Sequence, residues 1–451
     1  MSLPAGVAAG HPATAEAGAE ILADGGTAAD AAVAMCLASC VGEAVMTGLL
    51  GGGHALWWDG SRAGLLDCFV AVPARVGEMR DLPIDFGEAQ VHYTVGAASC
   101  GVPGIPAGLA ELHEAGGRLP WARVVEPALG LARRGVVLPP RHAACLAMLE
   151  PAFATGRGAA LYAPSGTLLG QGDVLIQPGL VDALECLAAE GPRSAYRGSI
   201  ADALLRVDGV TLTWDDLGSY EALWRDPARE EWHGLTVLTR AGLSGVPEAL
   251  GRLPRLAGRS ETERVLALAV ALEGGDGDGH TTNVVAVDGA GRVCVLTTSL
   301  GLGAGAWTPW FDLHLNSMLG ETDLAVGGLV PGERMESMMA PTIAFDDDGP
   351  VLAIGSAGGT RLRTALVSVL AGVLDEGLGV EAAIERPRLH TSAGTVHVEP
   401  GVDEAAIEQL ERQGRTVVRW PALHHFFGGV SCIGRDGAAG DPRRNGLGIL
   451  A

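Results

Sequence analysis

The first sixty residues alternate between apolar segments of helical and of strand character. Residues 14–22 are good helix formers and stop at a Gly-Gly pair, which is a common helix C-terminal signal. Thr27 and Asp30 form a T-x-x-D start for a second helix that runs through Cys40. Because this helix is apolar on nearly every side, it has to be buried on most of them. Residues 54–58 then predict a strand that ends at an Asp-Gly turn.

The middle of the chain reads as predominantly helical. We expect helices over residues 105–115 and from residue 119 onwards, and mainly helical structure across residues 140–235. Within that stretch, the apolar spacing favours helices over residues 180–190, 201–207 and 214–224. One more helix, over residues 260–273, closes this half of the chain.

The pattern changes after a Gly/Asp-rich seam at residues 274–281. Two strands, 282–287 and 292–298, follow it, and a hairpin is predicted over 342–345 and 350–354. Helices are expected over 361–374 and 380–384, before a tail of short strands. The sequence therefore predicts a layered α/β (α+β) fold with one sharp internal boundary, between residues 1–280 and residues 281–451.

Composition removes several classes of function. None of the 451 residues is a lysine, which excludes Schiff-base chemistry such as that of pyridoxal phosphate, P-loop phosphate binding and protein-kinase activity. A formal net charge of −22 opposes binding to nucleic acid or to an acidic membrane surface. We therefore expect a small-molecule substrate, with no nucleic-acid or membrane partner.

The eight cysteines are scattered, without a C-x-x-C pair, as expected of buried, reduced thiols. The N-terminus lacks a basic segment followed by a long apolar one, and Asp30 and Glu43 bracket the longest apolar run. These features predict a cytoplasmic protein. We expect no cofactor and no metal, and the sequence leaves a higher oligomer open.

The seam places a hydroxyl where it could become a nucleophile. If the peptide bond between His280 and Thr281 were cut, Thr281 would gain a free α-amine at the start of a strand. Such an amine, with a reference pKa of about 7.7–8.0, could take the proton of the threonine hydroxyl. A solvated loop before an ordinary hairpin has the same composition, so spacing alone leaves both interpretations open.

Motifs on both sides of the seam resemble, in order, those of γ-glutamyltranspeptidases. The resemblance covers nearly the whole chain, and its strength lies in the set rather than in any single motif. Its main blocks are residues 10–18, 48–53, 101–104, 117–121, 195–198, 340–343, 355–359, 387–390, 398–401 and 441–444.

This resemblance implies a four-layer αββα sandwich, formed by the large and small fragments of one self-cleaved precursor. Thr281 matches the first residue of the small fragment and is the expected nucleophile. Gly358 and Gly359 match the glycines associated with the oxyanion site, where a backbone without side chains can approach the reacting carbonyl. Ser299 replaces a threonine near the nucleophile. Ser337 and Met338 stand where relatives have two serines.

The pattern departs from the family where relatives hold the γ-glutamyl group. Phe69 replaces the arginine that binds its carboxylate, and Gly320 falls at the aspartate that binds its ammonium, with Glu321 next to it. Gly301 and Asn283 replace a further asparagine and a histidine. Losing one charge-assisted contact costs about 1.5–3 kcal/mol, so we expect a different acyl group.

Three enzymatic functions are compatible with these residues. The first is an amidase or acyltransferase for a non-standard acyl group, acting in natural-product (secondary) metabolism. The second is a carbon–carbon bond hydrolase of the same family, as in pathways that make alkylproline units. The third is true γ-glutamyl transfer, with Arg75 and Glu321 substituting for the missing pair. A non-catalytic binding or scaffold protein is the fourth alternative.

Overall fold

The computed structural model of the protein describes residues 2–88, 90–274, 281–392 and 394–451. His280, the residue on the far side of the expected cleavage point, lies outside these ranges. The helices are α1 (Pro12–Ala23), α2 (Ala28–Gly42), α3 (Ile105–Gly116), α4 (Trp121–Arg134), α5 (Pro140–Phe153), α6 (Arg157–Tyr162), α7 (Pro178–Glu190), α8 (Ser194–Arg197), α9 (Ser199–Leu205), α10 (Trp214–Gly218), α11 (Val246–Arg252), α12 (Glu261–Ala271), α13 (Arg361–Leu374), α14 (Val380–Glu385) and α15 (Glu404–Arg412).

The strands form two large sheets and three small ones. They are β1 (Gly6–Ala9), β2 (Gly52–Trp58), β3 (Ala63–Cys68), β4 (Arg80–Asp85), β5 (Gln90–Val95), β6 (Val136–Val137), β7 (Val174–Leu175), β8 (Leu223–Arg225), β9 (Ala228–Trp232), β10 (Leu235–Thr239), β11 (Thr282–Val287), β12 (Val293–Ser299), β13 (Thr342–Asp346), β14 (Gly349–Ala357), β15 (Leu389–Ser392), β16 (Thr395–Val398), β17 (Thr416–Arg419), β18 (Gly429–Gly434), β19 (Gly437–Gly440) and β20 (Leu447–Leu450).

The two large sheets pack face to face and carry helices on their outer sides. One has the strand order β20-β1-β11-β12-β2-β3-β8 and the other β19-β18-β14-β13-β10-β9. Helices α1 and α2 cover the first sheet, and α13 covers the second. This is the four-layer αββα sandwich that the resemblance implied, and each helix layer hides an apolar sheet face from water.

Strand β11 shows how alternation along one strand builds two separate cores. Val284 and Ala286 join the core beneath the first helix layer, whereas Val285 and Val287 join the core between the sheets. Side chains in a strand alternate between its faces, so a run of apolar residues buries both. By the same alternation, Thr281 and Asn283 point between the sheets, and Thr282 points towards the helices.

Helix α2 confirms the prediction of a buried, capped apolar helix. All its residues are buried, and the Thr27 hydroxyl accepts a hydrogen bond from the amide of Asp30, whose carboxylate accepts one from the Thr27 amide in return. Such a capping box satisfies two backbone donors at a buried helix start. Ser260 and Glu263 cap α12 in the same way.

The expectation of mainly helical structure over residues 140–235 was wrong in its last third. The helix predicted over residues 214–224 ends at Gly218, and β8, β9 and β10 follow it. Strand β9 is polar because it is a sheet edge, so it lacks the apolar alternation of a half-buried strand.

Residues before and after the seam share both large sheets. Strand β1 lies between β11 and β20, and β10 pairs with β13, so each sheet mixes strands from the two regions. The boundary at the seam therefore marks a change of sequence character, and both regions build one sandwich. Within the described ranges, none of the helices is long and apolar enough to cross a membrane.

Candidate active site

Thr281 lies at the open end of the central strand pair. Thr282 pairs with Thr298 across β11 and β12, so Thr281 and Ser299 are the next residues beyond that pair. Both side chains point between the sheets, and Thr281 is 4% exposed. The Ser299 hydroxyl accepts a hydrogen bond from the amide of Gly301 at 2.9 Å, which fixes its position beside the candidate nucleophile.

A small cavity opens beside Thr281. Most of its wall is apolar, and Glu321 is the one charged side chain among the described residues that form it. The lining residues are Phe69, Thr281, Ser299, Met318, Glu321, Leu324, Ser337, Met338, Met339, Gly359 and Leu362. The structure thus brings together six of the residues that the sequence predicted around Thr281.

Gly358 and Gly359 form the turn between β14 and α13. Their φ angles are +125° and +59°, which only glycine adopts at little cost, and the amide of Leu362 donates to the carbonyl of Gly359 at 3.1 Å. A Cβ on Gly358 would stand 2.9 Å from the Cα of Gly428. The turn therefore presents backbone and the start of α13 to the cavity, an arrangement suited to a developing negative charge.

Phe69 forms a rigid apolar wall of the cavity. Its side chain is 1% exposed and stacks on His54 with a ring-centroid distance of 5.6 Å. The Tyr220 hydroxyl donates to the carbonyl of Phe69 at 2.6 Å. Burial, its largest cause, lowers the pKa of His54 to about 3, so this ring is neutral at pH 7.

The side chain of Glu321 occupies the space next to Gly301, where a side chain at position 301 would otherwise lie. A Cβ on Gly301, whose φ is +70°, would stand 2.6 Å from Oε1 of Glu321. Gly320 is placed differently, because a Cβ there would collide with the carbonyl oxygen of Thr94. Of the two neighbouring residues, Glu321 therefore lines the cavity and Gly320 does not.

Two other predicted residues lie away from this cavity. Asn283 bridges the two sheets, since its side-chain amide donates to the carbonyl of Gly429 at 3.2 Å and accepts from the amide of Ser431 at 3.1 Å. Arg75, suggested as a substitute clamp, is exposed and does not belong to the described lining. These positions give neither residue a direct contact with an acyl group in the cavity.

The segment that contains Ser337 and Met338 is held in place by Arg240, which does not line the cavity. The guanidinium of Arg240 donates to the carbonyl of Ser337, and the Ser337 hydroxyl accepts from the amide of Met339 at 3.2 Å. Arg240 also pairs with Glu336 at 3.2 Å. These contacts hold Ser337 and Met338 against the cavity without placing the arginine in it.

Four lining residues were missed by sequence reasoning: Met318, Leu324, Met339 and Leu362. They come from three separate segments, and their apolar side chains resemble ordinary core residues. For Leu362 alone a local signal existed, because it lies one helical turn after Gly359. Within the described ranges, no three histidine, cysteine, aspartate or glutamate side chains converge as metal ligands.

The fold and this strand-end site define an N-terminal-nucleophile hydrolase or acyltransferase. The family described as Gamma-glutamyltranspeptidase matches residues 14–253 and 257–450. The chain therefore belongs to the γ-glutamyltranspeptidase family, as a divergent member.

Similar proteins support this assignment across the chain. The Acylase ACY 1 proenzyme of Pseudomonas sp. (strain V22) is 28% identical over 95% of this chain and 89% of its own length. The Glutathione hydrolase proenzyme of Bacillus subtilis (strain 168) is 26% identical, over 96% and 90%. A crystal structure of cephalosporin acylase from Bacillus halodurans has the same fold, with a TM-score of 0.86 over 100% and 96% at 23% identity.

Proposed function

We propose that this enzyme is a self-cleaving acylase that uses Thr281 as its N-terminal nucleophile and takes an apolar acyl group. The observation that carries the proposal is the cavity beside Thr281, whose described wall is apolar and contains one acidic and no basic side chain. A γ-glutamyl carboxylate would face Phe69 there in place of the family's arginine, so it would lose its charge-assisted contact.

Self-cleavage would begin with attack of the Thr281 hydroxyl on the carbonyl carbon of His280. The peptide C–N bond breaks as the acyl group moves to oxygen, and water then hydrolyses the ester. The products are a carboxylate at residue 280 and a free α-amine on Thr281. Several relatives, among them Acylase ACY 1 and the Bacillus subtilis glutathione hydrolase, are named as proenzymes, which favours the same processing here.

Turnover would reuse the same hydroxyl. The α-amine takes its proton, the oxygen attacks the substrate carbonyl, and the backbone amides around Gly358 and Gly359 hold the resulting oxyanion. The leaving amine departs with the proton, which leaves an acyl ester on Thr281. Water or a second amine then releases the acyl group and restores the hydroxyl.

The apolar wall and Glu321 together favour one kind of acyl group. Met318, Leu324 and Leu362 suit an aliphatic or aromatic body, and Glu321, which is 7% exposed, suits a hydrogen-bond donor or cation on it. The name of Acylase ACY 1 is in keeping with such amide hydrolysis. A role in secondary metabolism remains part of this proposal.

The test combines processing with substrate choice. Intact mass should show two fragments for the wild type and for Thr281→Ser, and one uncut chain for Thr281→Ala. Hexanoyl and phenylacetyl p-nitroanilides should then be hydrolysed at least tenfold faster than the γ-glutamyl anilide, with a 1,3-diketone assayed in parallel for carbon–carbon cleavage. An intact wild-type chain, or preference for the γ-glutamyl anilide, would overturn the proposal.

A further inference from the structure

Glu43 is a buried glutamate next to Thr281 that the proposed mechanism does not use. It follows α2 as its C-cap residue and is 1% exposed. The hydroxyl of Thr14 donates to its Oε1 at 2.9 Å, and the hydroxyl of Thr282 donates to its Oε2. An acid held this deep in a helix–sheet interface is costly to ionise, so it calls for a functional explanation.

Glu43 and Thr281 both line a second, smaller cavity. This cavity is distinct in its lining from the acyl cavity, although Thr281 belongs to both. Its wall consists of Gly10, Glu43, Thr281, Thr282, Asn283, Ala357, Gly429, Val430, Ser431, Asp441 and Arg444. A Cβ on Gly10 would stand 2.7 Å from Oε2 of Glu43, so the carboxyl occupies space that only a glycine leaves open.

The link between Glu43 and the nucleophile runs through the adjacent residue. Thr282 points towards the helices, and its hydroxyl ties the first residue of β11 to the end of α2. Thr298, its partner across the strands, is held at the same level by the hydroxyl of Thr47 at 2.9 Å. The first strand pair of the site is therefore fastened to the end of α2 and the residues after it by two separate contacts, Thr282 with Glu43 and Thr298 with Thr47.

Glu43 gains or loses its charge in the same pH range in which a free α-amine gains or loses a proton. Burial is the largest influence and raises its pKa to about 7, against the hydroxyl bonds of Thr282 and Thr14 and the charge of Arg444. A free α-amine has a reference pKa of about 7.7–8.0 and must be neutral to accept a proton. A nearby carboxylate favours the ammonium form, whereas a neutral carboxyl does not.

The other titratable groups around Glu43 keep one charge state near pH 7. His11 at the start of α1 and His142 on α5 have pKa values lowered to about 3 and about 4 by burial, so both rings are neutral. Burial opposes ionisation of Asp441, but Arg388 and Arg443 keep its pKa low. The Cys36 thiol, hydrogen-bonded to Cys40, has its pKa raised and stays protonated. Arg444 remains a cation.

We propose that Glu43 is a positioning residue that fastens the strand of Thr281 and sets the pH at which the α-amine of Thr281 becomes a base. This inference rests on the proposed function, because the amine exists only after cleavage at Thr281. Glu43 acts on the amine by its charge and through Thr282, and it touches neither the substrate nor the attacking oxygen.

The test is the pH dependence of kcat/KM for the cleaved enzyme, with hexanoyl p-nitroanilide as the probe. Glu43→Gln keeps the shape of the side chain and removes its charge: the amide oxygen accepts from one of the two threonine hydroxyls, and the amide NH2 donates to the other. The acid limb of the profile should move to lower pH by about half a unit to one unit, because the amine loses a nearby anion. Rescue by Glu43→Asp should return the limb towards its original position.

Asp30→Asn is the matched control, because Asp30 is the other buried acid of α2, at its opposite end. That variant should be less stable, with the acid limb of its pH profile unmoved.

If Glu43→Gln does not fold, Thr282→Val serves instead. It keeps the carboxyl of Glu43 but removes a hydrogen bond that favours its ionisation, so the acid limb should move in the same direction by a smaller amount. An unmoved limb in the folded variant overturns the inference, even when cleavage and activity confirm the proposed function. An uncleaved wild-type chain overturns both.

Discussion

Oε1 of Glu321 occupies the space beside Gly301, 2.6 Å from where a Cβ of that residue would be. The same position is 2.6 Å from the hydroxyl of Ser317. Gly301 and Glu321 are twenty residues apart along the chain but adjacent in space. The carboxylate of Glu321 fills the volume that a side chain at position 301 would occupy. The carboxylate lines the cavity beside Thr281 because the loop after β12 leaves room for it.

Gly301→Ala should cost both activity and stability. The residue has a φ of +70°, where an L side chain costs about 1–2 kcal/mol, and its methyl group would displace Glu321. We expect kcat/KM for an apolar acyl anilide to fall at least tenfold, with a lower melting temperature. Gly289→Ala is the control, since a Cβ at Gly289 meets nothing within 4 Å. Equal losses in the two variants would contradict this reasoning.

Phe69→Arg should shift specificity towards γ-glutamyl substrates. An arginine at this wall could bind the substrate carboxylate, a contact worth about 1.5–3 kcal/mol. We therefore expect the ratio of γ-glutamyl to hexanoyl anilide turnover to rise at least tenfold, although burying the charge lowers stability. Phe69→Leu removes the ring without adding charge and should leave that ratio near its original value. A parallel change in both substrates would argue against Phe69 as a wall of the acyl cavity.

The elements that were predicted correctly are those whose ends are set by residues within the element or next to it. Helix α2 has its capping box and unbroken apolar run, and β11 and β12 flank a short Asp-Gly turn. Helix α13 begins two residues after Gly359, as the glycine-rich turn indicates. Local chemistry is sufficient for such elements because their ends are set by caps and turns.

The elements that were missed depend on distant partners. Strand β10 is a strand because β13 pairs with it from more than a hundred residues further along. Strand β8 extends the sheet edge beside β3, and its exposed Leu223 and Trp224 suggest a helix end as readily as a strand. For the site, the resemblance identified Phe69 and Gly320 as altered, with Glu321 next to Gly320. The contacts of Phe69 with His54 and of Glu321 with Gly301 arise only from folding.

Gly359→Ala should lower kcat more than it lowers stability. The residue has a φ of +59° and lines the acyl cavity at the turn before α13. An alanine keeps the backbone amide but disfavours this φ, so it moves the donor out of place; complete loss of one oxyanion donor typically reduces kcat by about 10²–10³. We expect a fall of at least tenfold in kcat with little change in KM. Gly377→Ala has a similar φ of +72° in open space, so it reports the strain alone. An unchanged kcat in Gly359→Ala would place the oxyanion site elsewhere.

His54→Phe should make the protein less sensitive to acid. Burial lowers the pKa of His54 to about 3, from 6.5, so between these values the native state binds fewer protons than the unfolded chain. The stability from keeping this ring neutral is fully present above pH 6.5 and is lost as the pH falls. Glu43, with its pKa raised to about 7, contributes in the opposite direction between pH 4.5 and 7, equally in both proteins.

Urea unfolding at pH 7.5 and pH 5 measures this difference, in the Thr281→Ala background so that one chain unfolds. Between pH 7.5 and pH 5, the free energy of unfolding should fall by about 2 kcal/mol less in His54→Phe than in its parent. The reason is that pH 5 lies about 1.5 units below the unfolded pKa, and each unit corresponds to about 1.4 kcal/mol. A phenylalanine keeps the stack on Phe69 and removes two ring nitrogens that lack hydrogen-bond partners among the described residues. His92→Gln, at an exposed site on β5, should leave the acid sensitivity unchanged. If both variants lose stability like their parent, His54 is already protonated or solvated in the native protein at pH 5.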